Sequence, residues 1–358
     1  MLAMRNENNL ENNFSLLENL NGNQTDNIPF WFMRQAGRYL SEYCELRAKE
    51  GSFLNLAYNP ISASEVTLQP LRRFGMSGAI LFSDILVIPQ ALGQNLRFET
   101  GEGPKLNALD SEADIEKLDV ENIDNVLSPI YETVKLCREK IKTENFDDTA
   151  LIGFAGSPWT VVCYMIEGGG SKDFAKAKDW AKNKTKSFQN LMDVLVMATG
   201  HYLIQQVEAG AQALQLFDSW SGLLDEQEFE QWVIKPTQAI IEIVKAQYPD
   251  IPIIGFPRGA GEKIVFYADQ LDINGLGIDY DMELAWAHEN LPKNLCLQGN
   301  LNPQILLEGG DTLNQEAQKI LTIAKQRPFI FNLGHGVIKE TPPEHVGQLS
   351  KVIREFRC

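Results

Sequence analysis

The sequence predicts an α/β protein folded as a (β/α)8 TIM barrel. Three observations lead there: short apolar runs alternate with long helical stretches, polar or glycine-rich segments follow nearly every run, and no glycine-rich dinucleotide turn follows the first. The barrel is expected over residues 28–358 as a single domain with extra helices, after a loosely ordered arm over residues 1–27. A doubly wound open sheet is the competing architecture. It is disfavoured because the polar motifs are spread along the chain instead of gathering at one switch point.

The apolar runs are 28–33 (IPFWFM), 79–82 (AILF), 150–154 (ALIGF), 213–217 (ALQLF), 252–256 (PIIGF), 274–278 (NGLGI), 295–298 (LCLQ) and 329–332 (FIFN). Helical segments are expected at 61–73, 124–141, 173–209, 226–247, 281–289, 311–326 and 343–355, with start signals that include Asn59-Pro60 and Pro342-Pro343. The span exceeds the ~250 residues typical of the fold, which leaves room for extra helices after the first and third runs. The segments after the runs read "RQAGR", "SDI", "AGSPWT", "DSW", "PRGAG", "DYDME", "GNLNP" and "LGHG". In a barrel they share the C-terminal rim, where active sites are built, so residues as distant as Arg34 and His335 can line one cleft.

Of the 358 residues, 44% are hydrophobic and 22% charged, the balance of an ordinary globular chain. A formal charge of −16 disfavours nucleic acid and anionic membrane surfaces as partners, so an anionic ligand needs a locally basic cleft. Five scattered cysteines without a C-x-x-C pair read as reduced thiols and point to a cytoplasmic location. No apolar run reaches the ~18 residues of a spanning helix, and the Asn-rich start lacks the apolar core of a signal sequence.

Arg34 and Arg38 lie within one helical turn just beyond the first run, where two guanidinium forks can clamp carboxylates, with Arg47 adding a third charge. The alternative is a surface pair bridging to Glu42 or Glu45. Asp84, in "AILFSDILVIP", is a carboxylate among apolar neighbours, costly to bury without donors or cations around it. It is either an ion-pair partner of Arg72 or Arg73, a helix cap, or a stabiliser of positive charge that develops in a reaction. Tyr164 and Ser219 offer hydroxyls on the same rim, and His335 stands between two glycines after the last run. "EGGGSKDF" at 167–174 lacks the order of a phosphate loop and reads as a flexible flap. The four histidines have no zinc-ligand spacing, and no metal, nucleotide or redox cofactor is expected.

Together "PFWFMRQAGRYL", "LFSDIL", "GSPWT", "FDSW", "QGNL" and "LGHGV...TPPE", spread in this order over nearly the whole chain, resemble the uroporphyrinogen decarboxylase family. The resemblance implies a cofactor-free (β/α)8 barrel, usually a cytosolic homodimer, that removes the four acetate carboxyls of uroporphyrinogen III to give coproporphyrinogen III. It further implies that Arg34, Gln35, Ala36, Gly37 and Arg38 form the substrate-binding segment, with Asp84 central and Tyr164, Ser219 and His335 completing the site; Asp84, Arg34 and Tyr164 would carry the chemistry. The family commonly has proline and arginine where this chain has Ser41 and Cys44, and aspartate in place of Asn302. Two other readings compete: a corrinoid-linked methyltransferase on a related barrel, which needs a zinc-bound thiolate and is disfavoured by the missing His/Cys cluster, and a tetrapyrrole carrier that binds through the same arginines and releases no carbon dioxide.

Overall fold

The computed structural model describes residues 14–99 and 103–357. Its strands are β1 (Gly78–Ile80), a small antiparallel hairpin of β2 (Leu96–Glu99) and β3 (Gly103–Leu106), β4 (Ala150–Gly156), β5 (Ala213–Asp218), β6 (Ile253–Pro257), β7 (Gly275–Gly277), β8 (Cys296–Leu301) and β9 (Phe329–Leu333). Seven of them form one curled parallel sheet in the order β1-β4-β5-β6-β7-β8-β9. The segment expected as the first strand, 28–33, makes a single parallel bridge, Phe30 to Phe331. Phe331 N–H donates to the Pro29 carbonyl at 2.8 Å, Trp31 N–H to the Phe331 carbonyl at 3.2 Å, and Ser77 N–H to the Phe30 carbonyl at 2.9 Å. The segment is thus hydrogen-bonded to β9 on one side and to the residue before β1 on the other.

Side-chain alternation divides the core in two. Ala150, Ile152, Ala213, Ile254, Phe256, Cys296 and Ile330 pack together on the inner face of the sheet, while Leu151, Leu214, Ile253, Leu297 and Phe329 pack outward with the helices. The inner cluster is completed by Phe14, Leu16, Leu20, Trp31 and Met33. The described part of the N-terminal arm is therefore not loose, a correction to the sequence reading. A helix over Ser15–Leu20 buries Leu16 and Leu20, and Asn19 accepts from the Phe329 N–H at 2.9 Å while donating to the Ser15 carbonyl and to Thr25 Oγ1. Residues 1–13 of that arm lie outside the described residues. Gly78 is required here, since a Cβ would strike the Trp31 ring and Leu16.

Extra helices lie where the long span left room: Ser41–Glu50 and Phe53–Ala57 after the first segment, Pro158–Glu167 and Ala175–Asn183 after β4. The helix Pro158–Glu167 escapes periodicity because it is apolar nearly all round, with only Tyr164 and Glu167 partly open. The single helix expected over 173–209 is two, broken at Lys184, and that expected over 226–247 is interrupted by a π-turn at Glu230–Ile234 just ahead of Pro236, which cannot donate a helical hydrogen bond. The expected flap at 167–174 is tied down at one end: Leu106 N–H donates to the Gly168 carbonyl at 2.9 Å, and Lys105 bridges Gly169. Asn302 does the work of an aspartate cap, accepting from Gln304 N–H at 2.9 Å at the start of the helix Pro303–Glu308.

The docking of the short N-terminal helix is testable through Leu16, which is wholly buried between Trp31 and the sheet. Leu16→Ala should lower the free energy of unfolding by about 2–5 kcal/mol in a chemical denaturation series. A midpoint equal to the parent's would show that the helix is not part of the folded core.

Candidate active site

The end of the first segment is clamped to the last strand. Met33 N–H donates to Asn332 Oδ1 at 3.0 Å, and Val337 N–H to the Met33 carbonyl at 2.8 Å. Arg34, next in the chain, takes a left-handed backbone with φ of 60°, a conformation that costs a non-glycine residue roughly 1–2 kcal/mol. The neighbouring bonds offset it: Gln35 N–H donates to the Phe32 carbonyl at 2.9 Å, its side chain accepts from Phe32 N–H at 3.1 Å and donates to the Gly78 carbonyl at 3.1 Å. The result is a sharp turn that lays the Arg34 stem over Gly336, where a Cβ would collide with it.

Arg34 and Arg38 form no ion pair among the described residues. Their proposed surface partner Glu42 is taken by Arg73 at 2.7 Å. Arg38 is exposed, Arg34 keeps access to solvent although protein crowds round its guanidinium, and Arg47, on the helix Ser41–Glu50, is half-buried beside Tyr43. Cys44 donates its thiol hydrogen to the Arg38 carbonyl at 3.3 Å, so this residue, at a position where the family commonly carries arginine, anchors the segment from the helix. Ala36 and Gly37 lie half-buried in the same turn, whereas the Gln35 side chain is fully buried and serves to hold the turn.

Asp84 follows β1. Its Oδ1 accepts from the Leu86 N–H at 2.8 Å, closing a local turn, and its other oxygen carries no hydrogen bond yet is not sealed in the interior. Neither Arg72 nor Arg73 pairs with it, since Arg72 bridges Glu65 and Glu144. Burial pushes the Asp84 carboxyl above the usual carboxylate range, while the Leu86 N–H and the charge of Arg34 pull it back. Burial likewise lowers the Arg34 guanidinium from its ordinary value; Asp84 and Tyr164 oppose this, and Arg38 and Arg258 add to it.

Tyr164 is half-buried on the helix Pro158–Glu167, with ring centroids 6.1 Å from Phe174 and 6.4 Å from Trp220. Burial raises its hydroxyl pKa; nearby Trp220 Nε1 favours the ionised form without meeting hydrogen-bond geometry, Asp84 raises the pKa and Arg34 lowers it. Ser219 is half-buried in the turn after β5. That turn is anchored by Asp218, whose carboxyl, pushed up to about 7 by burial, accepts from Thr160 Oγ1 at 2.6 Å; Thr160 accepts in turn from Trp220 N–H at 3.1 Å. His335 is half-buried in the loop after β9, its pKa lowered to about 4 by burial, then by Arg34 and Arg258. Mutual electrostatic influence thus joins Arg34, Arg38, Asp84, Tyr164, His335 and Arg258 in one cluster.

Arg258 and Asp218 escaped the sequence reading. "PRGAG" shows an arginine among glycines on the rim, a signal that was available; Asp218 in "FDSW" gave none, because its role depends on Thr160, far away in the chain.

A neutral imidazole at His335 can donate from one nitrogen and accept at the other. Its folded pKa of about 4 lies below the unfolded value of 6.5, so the folded chain binds fewer protons between those pH values. Its contribution to stability is present above the unfolded value and is lost as pH falls through the folded one. Heteronuclear NMR of the imidazole should show His335 unprotonated at pH 6; a midpoint near 6.5 would mean that neither burial nor the arginines act on it.

The uroporphyrinogen decarboxylase family profile matches residues 11–356. A uroporphyrinogen decarboxylase of Rhodospirillum rubrum is 47% identical over 95% of this chain and 97% of its own. One from Rhizorhabdus wittichii is 48% identical over 95% and 97%. Among solved structures, a methyltransferase from Methanosarcina mazei superposes with a TM-score of 0.79 at 22% identity, covering 95% of this chain and 97% of that one, a likeness of fold alone. With a profile that spans nearly the whole sequence and relatives close to half identical, the chain belongs to the uroporphyrinogen decarboxylase family.

Proposed function

We propose that the chain is a carboxy-lyase that converts uroporphyrinogen III to coproporphyrinogen III by removing its four acetate carboxyls. The observation that carries this is the set of guanidinium groups, Arg34, Arg38 and Arg258, with no carboxylate of the described residues within ion-pair distance, in which Arg34 feels the charges of Arg38, Arg258 and the half-open carboxyl of Asp84. An octa-acid substrate supplies the missing anions. The family membership and the names of the relatives support the same reading.

The substrate ring serves as its own electron sink. A proton adds to the ring carbon beside the acetate-bearing carbon, and positive charge settles on the pyrrole nitrogen. The bond to the carboxylate then breaks, its electron pair cancels that charge, and carbon dioxide leaves. Protonation of the exocyclic carbon gives the methyl group, and loss of the added ring proton restores the pyrrole. Asp84 accepts from the pyrrole N–H groups and stabilises the cationic ring as it forms, a preorganised electrostatic contribution. Arg34 holds the reacting acetate, and Arg34 or Tyr164 delivers the proton. Arg47, Arg38 and the turn Gln35–Gly37 bind the remaining carboxylates, with Ser219 and His335 as neutral donors. No step calls on a cofactor.

The same proposal takes the sheet to be closed by residues 28–33 as an eighth strand, supported by their bonds to both β9 and Ser77, and the chain to form one catalytic domain that acts as a cytoplasmic homodimer. No described helix is long and apolar enough to cross a membrane. The corrinoid-linked alternative has only the fold likeness behind it.

Anaerobic incubation with uroporphyrinogen should yield a tetra-carboxylate product, which a carrier cannot make. Asp84→Asn keeps the size of the side chain and removes its charge, so turnover should fall by about a hundredfold or more while KM changes little. Near-parental turnover in that variant, folded by circular dichroism, would rule out the electrostatic role.

A further inference from the structure

We infer that Arg258 is a second carboxylate anchor, which together with Arg34 and the His335 imidazole forms a subsite for one substrate carboxylate on the β6 side of the cleft. The inference rests on the proposed decarboxylase reading for the identity of the ligand, and on the surroundings of Arg258 for its place.

Arg258 follows β6 directly, and its backbone is fully committed. Its N–H donates to the Asp218 carbonyl at 3.0 Å, and its own carbonyl accepts from Gly222 N–H at 3.2 Å and from Ser221 Oγ at 3.1 Å. The rim after β5 and the rim after β6 are thereby locked together, fixing where the side chain departs. Gly222 and Gly259 pack so closely that a Cβ on Gly222 would overlap the Gly259 backbone. The Arg258 side chain, by contrast, belongs to a half-buried residue and makes no hydrogen bond or ion pair among the described residues. Asp279 is the acid that the loop already uses: its Oδ2 accepts from Gly259 N–H at 2.7 Å and its Oδ1 from Asp281 N–H at 3.1 Å, so both oxygens are engaged by backbone donors instead of Arg258.

A guanidinium that is half removed from water, rigidly rooted and unpaired is electrostatically incomplete. Arg258 leaves from the same rim of the parallel sheet as the Arg34 turn and the His335 loop, and its positive charge bears on both Arg34 and His335. Two like charges that both bear on a neutral imidazole are stabilised by an anion placed among them. A carboxylate there takes a two-pronged contact from one guanidinium, a single hydrogen bond from the other and one from the imidazole, which uses its roughly four acceptor positions. Since Arg34 and Arg38 come from the segment bonded to both β9 and Ser77, while Arg258 follows β6 midway along the sheet order, the substrate is held from two sides. Its affinity then depends on how many of its edges carry carboxylates.

The test uses Arg258→Met, which keeps the stem and removes the charge, and Arg258→Lys, which keeps the charge without the planar fork. KM for uroporphyrinogen should rise at least ~tenfold in the Met variant, with a much smaller change in kcat, and less in the Lys variant. Binding of stable, oxidised uroporphyrin, followed by fluorescence, should weaken in parallel, and the His335 imidazole should titrate at higher pH in Arg258→Met because one repelling charge is gone. If the parent enzyme makes the tetra-carboxylate product and Arg258→Met matches its KM and uroporphyrin affinity, the subsite is overturned and the decarboxylase reading stands. If the parent makes no product but binds uroporphyrin in an Arg258-dependent way, the subsite stands and the decarboxylase reading falls.

Discussion

The cleft depends on one clamp, the attachment of residues 29–37 to both ends of the parallel sheet. Backbone bonds fix Pro29 and Trp31 to Phe331 and Phe30 to Ser77, side-chain bonds from Asn332 and Gln35 then fix Met33 and Phe32, and the left-handed turn at Arg34 follows. Without that turn the guanidinium would leave in another direction, away from Gly336 and from Asp84. The bonds are mostly between backbone and buried amides, where exchange with water is excluded and an unmade bond is expensive. The strained residue and the buried amides around it belong together: the second set holds the first.

Beneath the clamp the inner face carries a short polar relay inside an apolar layer. Trp31 Nε1 donates to Gln298 Oε1 at 2.9 Å, and Gln298 Nε2 donates to Gln215 Oε1 at 3.0 Å, so β8 is braced directly to β5 and the first segment is tied to both. Above them the half-buried Ile80 and Phe217 bring apolar surface up to the level of the charged groups. This explains the electrostatics of the rim. Low polarisability below and limited solvent above raise the carboxyl of Asp84, lower the imidazole of His335 and weaken the protonation of Arg34, all by the same desolvation. An acidic chain carrying a net charge of −16 still presents a locally positive site, because its other arginines, such as Arg72 and Arg73, are spent on carboxylates elsewhere.

The chain itself determined the parallel α/β class, the order and approximate place of the sheet strands, and most of the cleft. The reasons are physical: apolar runs buried on both faces and the polar residues that end them are encoded locally, and one rim collects whatever follows the strands. That Arg34, Arg38, Asp84 and His335 lie on one rim was legible for that reason, whereas Tyr164, on the helix Pro158–Glu167, was placed there by the family resemblance. Tertiary structure alone decided what has no local signature. The stretch from Phe14 to Leu20 sits in an Asn-rich arm yet supplies three apolar side chains that cover the inner face, a role visible only once the sheet has curled. The helix Pro158–Glu167 shows no period because it is buried almost all round. Gln35 looks like a binding residue but is used up in holding the turn, and Arg258 looks like a loop residue but is left unpaired at the cleft. Whether a polar side chain is spent on the fold or left for a ligand is a matter of which partners come within about 3 Å, and that distance is set by contacts between residues hundreds of positions apart.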